Sequence, residues 1–370
     1  MIDFIPVYNY TYYFNISILI MVMIAIWQCH TGIMFKKNII NINATWGILF
    51  TILLILYMGL RPINIEFGDT INYARGFYRV QNSPEPFSWT WDAEWIFTNT
   101  MNWFAKNSDI HSFFLLCASI YIGALWLAML RIFKSYYYIP YLIVLCMFTF
   151  WTYGVNGIRN GLGASLFILA ITYANKPIIM IIIALLASSI HNSIYLMIAA
   201  GILCWFIKNS YIYLIGWIIS IPISYIAGFQ IQNYFSKFNI IEGDNRFSGY
   251  LTGNNMIGET FQVSMTFRWD FLIYSALAVA IGYYFIFRRY YKDEYYHWIY
   301  NMFLITNTFW VLIIRAAYSN RFAQISWFIM PIVLIYPFLK KRFWVNHEKY
   351  LGYAIILFYL FTFYYNILKG

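Results

Sequence analysis

The stretch Ile110-His-Ser-Phe-Phe-Leu-Leu-Cys-Ala-Ser-Ile120-Tyr-Ile-Gly-Ala-Leu-Trp-Leu-Ala-Met-Leu130 decides the fold. It holds one basic side chain, His111, and is followed at once by Arg131 and Lys134. A helix needs ~20 mainly apolar residues to cross a bilayer, and this stretch supplies them. Eleven more stretches of the same kind lie around it, at 12–35, 43–60, 138–153, 159–174, 177–190, 192–207, 211–229, 269–288, 296–314, 321–339 and 350–368. What remains makes short turns and two longer segments, 61–109 and 230–268. The expected fold is an all-α polytopic integral membrane protein of about 12 transmembrane helices. Residues 1–370 form one polytopic domain in this reading. Segment 61–109 is its first extracytoplasmic segment, with an interfacial helix over 93–105, and 230–268 is a second extracytoplasmic loop.

Composition and charge agree with that reading. Of 370 residues, 10% are charged and 62% hydrophobic, against ~25% charged in soluble domains. This excludes a soluble enzyme, a disordered chain and a basic nucleic-acid-binding domain. The formal charge of +10 must then be explained by topology, because Lys and Arg collect on the cytoplasmic side of membrane proteins. With twelve spans and the N-terminus outside, the inner connections carry thirteen cations (among them Lys36, Lys37, Arg131, Lys176, Lys340, Lys341 and Arg342) and three acids. The outer side carries eleven of each, so the whole net charge falls inside. The cations also differ in kind: the outer set is eight Arg and three Lys, the inner set nine Lys and four Arg. Lys suffices as an anchor, whereas Arg grips phosphate oxygens with two prongs and stays charged when partly buried. Snorkelling, or pairing with the outer acids, is the competing use. The four cysteines stand singly in apolar stretches, implying neither a disulfide framework nor a metal site. Met1 to Phe14 contains no Lys or Arg, so no cleavable signal peptide is expected.

The polar motifs gather at the outer side. Gly68-Asp69-Thr70-Ile-Asn-Tyr73-Ala-Arg75 opens a helix. Asp69 either caps that helix or serves as a carboxylate toward sugar hydroxyls or a proton, and Tyr73 and Arg75 follow at helical spacing. Glu94 stands among Trp89, Trp91, Trp95 and Trp103, aromatics suited to the headgroup layer or to stacking on sugar rings. Gly154-Val-Asn156-Gly157-Ile-Arg159-Asn160-Gly161-Leu-Gly163-Ala-Ser165 is the next motif, where a helix N-terminus with an Arg suits an anion, while Gly157 and Gly161 also fit close helix packing. His191, in Ser188-Ser-Ile-His191-Asn192-Ser193, interrupts a long apolar run and is either structural or a proton acceptor. Arg315 and Arg321 straddle a turn with Asn320 between them and suit a diphosphate; Arg246 and Arg268 belong to the second long segment. There is no Asp-x-Asp pair and no phosphate-binding Gly-Lys-Ser loop, so neither metal nor cofactor is expected.

In their order, these motifs resemble the EpsG-type polysaccharide polymerases, a branch of the Wzy O-antigen and exopolysaccharide polymerases, over roughly residues 45–340. The family often carries a second His where Asn192 stands. The resemblance implies a GT-C-like membrane glycosyltransferase that acts at the outer face of the cytoplasmic (inner) membrane. It would transfer a growing glycan from undecaprenyl diphosphate to the non-reducing end of an undecaprenyl-diphosphate-linked repeat unit, with inversion and without metal. Its partners would be those lipid-linked repeat units, membrane lipids and a chain-length regulator. Asp69, His191 and Glu94 are then the catalytic candidates and Arg159, Arg315, Arg321 and Arg268 the diphosphate ligands, with Tyr73, Arg75, Asn160, Arg246 and Asn320 toward substrate. A lipid-linked oligosaccharide flippase would show an internal repeat and mid-membrane charges, neither of which is visible. An O-antigen ligase would place its longest outer loop late in the chain, whereas here it is early.

Overall fold

The computed structural model describes residues 2, 4–236 and 266–368. Most of the second expected loop, including Arg246, lies outside the described residues. No strand occurs among the described residues. Seven helices there are long and apolar enough to cross a membrane: Val7–His30, Lys37–Gly59, Ile110–Tyr136, Ser210–Phe235, Trp269–Arg288, Ser319–Lys340 and His347–Leu368. Ile158–Ile171, Pro177–Ser188 and Ile194–Phe206 are apolar but shorter. The described residues are thus helical without strands, and the chain is a multi-pass membrane protein. It divides into two compact units, Met1–Tyr195 with Phe338–Gly370, and Leu196–Pro337.

In the first unit the chain runs through α1 (Tyr10–His30), α2 (Lys37–Gly59), α3 (Thr70–Asn82), α4 (Trp95–Asn107), α5 (Ile110–Phe133), α6 (Tyr138–Leu145), α7 (Phe150–Val155), α8 (Ile158–Ile171) and α9 (Pro177–Ser188). The stretch 138–153, expected as one span, is two short helices. The break frees carbonyls inside an apolar environment, where each must find a donor. Thr362 Oγ1 donates to the Cys146 carbonyl at 2.5 Å, and Asn366 Nδ2 to that of Phe148 at 3.3 Å. Beyond the break, Trp151 stacks on Phe14 with ring centres 5.1 Å apart.

Helix lengths place the polar motifs. Helices α5 and α8 pack together and run in the same direction. They are level at one end, where Arg131 Nε donates to Thr172 Oγ1 at 3.0 Å and its guanidinium lies 3.5 Å from the Tyr173 ring centre. Back from that contact, α5 extends ~32 Å to Ile110 and α8 only ~21 Å to Ile158, at ~1.5 Å per residue. Helix α8 therefore stops ~10 Å short of where α5 begins. Helices α3 and α4 pack against each other at that end. Phe77 and Phe97 both meet Phe113 on the first turn of α5, at 6.3 and 5.6 Å.

Arg61 fastens this arrangement. It is 1% exposed and donates to the Met58 carbonyl at 2.6 Å, to Thr70 Oγ1 at 2.8 Å and to the Val155 carbonyl at 3.2 Å. Phe114 lies 4.8 Å from the guanidinium, and burial brings its pKa down to about 10. One side chain thus joins the end of α2, the start of α3 and the end of α7.

The second unit holds most of α10 (Ile194–Phe206), then α11 (Ser210–Ser236), α12 (Trp269–Tyr283), α13 (Glu294–Leu312), α14 (Ser319–Trp327) and most of α15 (Met330–Lys340). The last helix, α16 (His347–Phe363), returns to the first unit and packs on α1. A fully buried Asn307 organises the second unit. It accepts from Trp217 Nε1 at 2.7 Å and donates to Ser275 at 3.1 Å and Ser326 at 2.8 Å. Where water is absent, such a satisfied hub fixes the helices' register.

Candidate active site

Glu94 is the centre of the polar cluster in the first unit. It precedes α4 and is 4% exposed. Its Oε2 accepts from Arg159 Nη1 at 2.6 Å, and its Oε1 is hydrogen-bonded to His191 Nδ1. Arg159 stands on the first turn of α8, and His191 in the turn after α9. Three sequence motifs therefore meet at one buried carboxylate. The Arg159 side chain is 30% exposed and that of His191 17%, so the cluster opens to one side.

The turn that carries His191 is pinned on both flanks. Ile96 N–H donates to the Ser189 carbonyl at 3.2 Å, and Ser193 Oγ donates to Asn160 Oδ1 at 3.1 Å. Gly163 permits the approach, because a Cβ there would lie 2.9 Å from Ile194 Cγ1 and 3.3 Å from His191 Cβ. The strap from Ser83 to Glu94 is tied to α4, since Asn99 Nδ2 donates to the Thr90 carbonyl at 2.7 Å and Lys106 Nζ to that of Ser83 at 2.6 Å. Glu94 is thus held from its own helix as well as by its partners.

Tyr73 joins the cluster. Its ring lies 5.8 Å from the Arg159 guanidinium and 5.6 Å from the Phe97 ring. Burial raises its phenol pKa, Arg159 opposes that by charge and hydrogen bonding, and Asp69 adds to it. Asp69 occupies the cap position of α3 without capping it: its Oδ1 accepts from Asn72 Nδ2 at 3.0 Å. Its backbone N–H donates to Asn156 Oδ1 at 2.8 Å. Gly68 makes that contact possible, with φ +57° and a notional Cβ only 2.5 Å from Asn156 Cγ. Arg75 is exposed on α3.

The remaining predicted residues belong to the second unit. Arg268 forms a two-pronged pair with Asp270, at 2.9 and 2.7 Å, and lies 3.6 Å from the Phe271 ring centre. Arg315 sits among aromatic rings, 5.0 Å from Phe229, 5.5 Å from Phe267 and 5.8 Å from Tyr225. Its Nη2 reaches the Tyr225 carbonyl at 3.5 Å, and its buried Nε has no hydrogen-bond partner. Arg321 lies 5.3 Å from the Tyr318 ring, and Asn320 beside it is half-buried. Sequence reasoning reached Glu94, Arg159 and His191 separately and missed that one carboxylate joins them. It also missed Asn156, Asn99 and Arg61 as supports. The signal for Asn156 was present, since it directly precedes Gly157 in the motif already singled out.

Fold and site together define a multi-pass membrane protein with a buried, partly open acid–base cluster. The chain belongs to the EpsG family, whose model matches residues 43–370. That membership indicates a polysaccharide-polymerase-like function on lipid-linked saccharides. No curated protein and no solved structure matches the chain.

Proposed function

We propose that this protein is a membrane glycosyltransferase that lengthens a polysaccharide on undecaprenyl diphosphate. It takes the growing glycan from one lipid diphosphate and passes it to the non-reducing end of a lipid-linked repeat unit. The reaction lies at the outer face of the cytoplasmic membrane, with twelve crossings in a GT-C-like arrangement and both termini outside. The observation that carries this reading is Glu94 bridging Arg159 and His191.

The chemistry follows from the hydrogen bonds. A carboxylate that accepts from Nδ1–H of His191 places the ring's lone pair on Nε2. Nε2 then takes the proton from the acceptor hydroxyl as that oxygen attacks C1 of the donor sugar. The C1–O bond to the lipid diphosphate breaks, and the diphosphate leaves with the electron pair. Direct attack inverts the anomeric centre. The leaving group is already acidic, so it needs fixed positive charge more than a proton. Arg159 is the cation of this cluster assigned to it; of the other arginines proposed from the sequence for the diphosphate, Arg315 and Arg321 belong to the second unit, and the fork of Arg268 is occupied by Asp270. The end of α8 that carries Arg159 lies ~10 Å below the start of α5, so the acceptor enters a recess rather than a flat face.

The test is reconstitution. Purified protein with defined lipid-linked repeat units should form a ladder of products, and His191→Ala should abolish it while the protein still inserts. If the wild-type protein forms no polymer but moves single lipid-linked units across vesicle membranes, the chain is a transporter and the reading falls.

A further inference from the structure

A cavity lies in the first unit, lined by residues other than those of the Glu94 cluster and independent of the polymerase reading. It has a volume of about 250 Å³ and is lined by Phe35, Tyr136, Lys340, Lys341, Arg342 and Glu348 among others. At ~30 Å³ each it has room for roughly eight waters, the size class of a small headgroup. Its depth in the membrane follows from the chain. Tyr136 ends one membrane-length helix, Lys340 ends another, His347 begins a third, and Phe35 lies in the link between Val7–His30 and Lys37–Gly59. All of them mark one edge of the apolar slab, where lipid phosphates sit. Phe338 of the lining belongs to an aromatic group that fits that layer: Trp344 lies 5.6 Å from Phe338 and 5.0 Å from Tyr350.

The charges in the cavity are of both signs and are not paired with each other. Arg342 Nη2 donates to the Val345 carbonyl at 3.2 Å, and Lys341 Nζ lies 5.6 Å from the Phe343 ring. Lys340 Nζ donates to the Ile132 carbonyl at 2.7 Å. Glu348 Oε2 is buried and accepts no hydrogen bond. His347 adds no charge, since Nε2 donates to the Phe338 carbonyl at 2.7 Å while Nδ1 accepts from the Phe343 N–H at 3.4 Å. A buried carboxylate oxygen without a donor is costly, and the cavity beside it is open. A purely anionic ligand would satisfy the cations and leave Glu348 facing like charge. A neutral polar ligand would leave the cations unanswered.

We propose that this cavity binds a zwitterionic phosphoethanolamine headgroup of a membrane lipid. Its phosphate meets Lys341 and Arg342, and its primary ammonium donates to Glu348 Oε2. The ammonium is the selective element. A glycerol headgroup lacks the positive charge, and a trimethylated choline lacks the N–H donor.

The full-length protein, purified in detergent, is equilibrated with equal amounts of phosphatidylethanolamine, phosphatidylglycerol and phosphatidylcholine. Retained lipid is read by native mass spectrometry. One charge-assisted hydrogen bond predicts roughly tenfold more retained phosphatidylethanolamine than either competitor. Glu348→Gln should erase that preference, and the double change Lys341→Ala with Arg342→Ala should lower retention of all three lipids. Soluble phosphoethanolamine at the same concentration should not displace the lipid; if it does, the ligand is a free phosphate compound and the lipid assignment is overturned. Equal retention of phosphatidylethanolamine and phosphatidylglycerol by the unaltered protein overturns the proposal without any variant. So does an unchanged preference in Glu348→Gln.

Discussion

Replacing Glu94 by Gln tests the proposed mechanism with the least change of shape. The carboxylate accepts from two donors at once, Arg159 Nη1 on one oxygen and His191 Nδ1 on the other. A Gln amide has one accepting oxygen and one donating nitrogen, so it can serve only one of them. If its oxygen faces Arg159, its NH₂ meets Nδ1, which must then accept, and the proton moves to Nε2, the atom meant to take one. If the oxygen faces His191, the NH₂ is pressed against a guanidinium that sat 2.6 Å from the native oxygen. Either orientation removes one element of the site. The wrong tautomer in a comparable acid–histidine pair lowers turnover by ~10⁴, or ~5 kcal/mol at ~1.4 kcal/mol per decade. We expect polymerisation by Glu94→Gln to fall by roughly 10³ to 10⁴. Protein abundance in the membrane should change little, because the side-chain volume is kept and Arg159 is 30% exposed to solvent screening. The assay is the initial rate of ladder formation by purified protein on a defined lipid-linked repeat unit. The double variant Glu94→Gln with His191→Ala should be no slower than His191→Ala alone, since both act through one ring. A Glu94→Gln rate within about threefold of wild type, or strictly additive losses, would refute the reasoning.

Other expectations follow from the same geometry. Asp69→Asn should keep most of the rate, because Asp69 Oδ1 accepts from Asn72, which an Asn oxygen can also do, while the bridge to His191 is made by Glu94; a loss as large as that of Glu94→Gln in the same assay would make Asp69 the base instead. Arg61→Ala should lower the amount of folded protein in the membrane, measured by size-exclusion yield, because the Met58 carbonyl and Thr70 Oγ1 lose the Arg61 donor at about 1–3 kcal/mol each before relaxation, while the Val155 carbonyl keeps the Thr70 hydroxyl. Gly68→Ala should destabilise by about 1–2 kcal/mol from its positive φ alone, with more from the clash with Asn156, and thermal unfolding in detergent would register it. Chelators should leave ladder formation by the purified protein intact; inhibition reversed by added Mg²⁺ would overturn the arginine-based account of the leaving group.

Much of the fold was legible in the sequence, for a simple reason. Crossing hydrocarbon requires long apolar runs, and those runs survive as helices whatever their neighbours do. Helices α1, α2, α5, α11 and α16 overlie their expected stretches, although α2 begins six residues earlier, α1 and α16 each end five earlier, and α11 runs on to Ser236. The stretch 138–153 misled, because the donors that satisfy its break, Thr362 and Asn366, lie more than 200 positions away in sequence. The site divided in the same manner. Arg159, His191 and Glu94 could each be picked out, because a polar residue in an apolar setting is conspicuous alone. That Glu94 joins the other two could not be read, since they lie 65 and 97 positions from it. Composition and periodicity act locally and settled the class of protein. The pairing of charges depends on a short α8 ending below α5 and on α4 reaching that end, which only the tertiary packing decides.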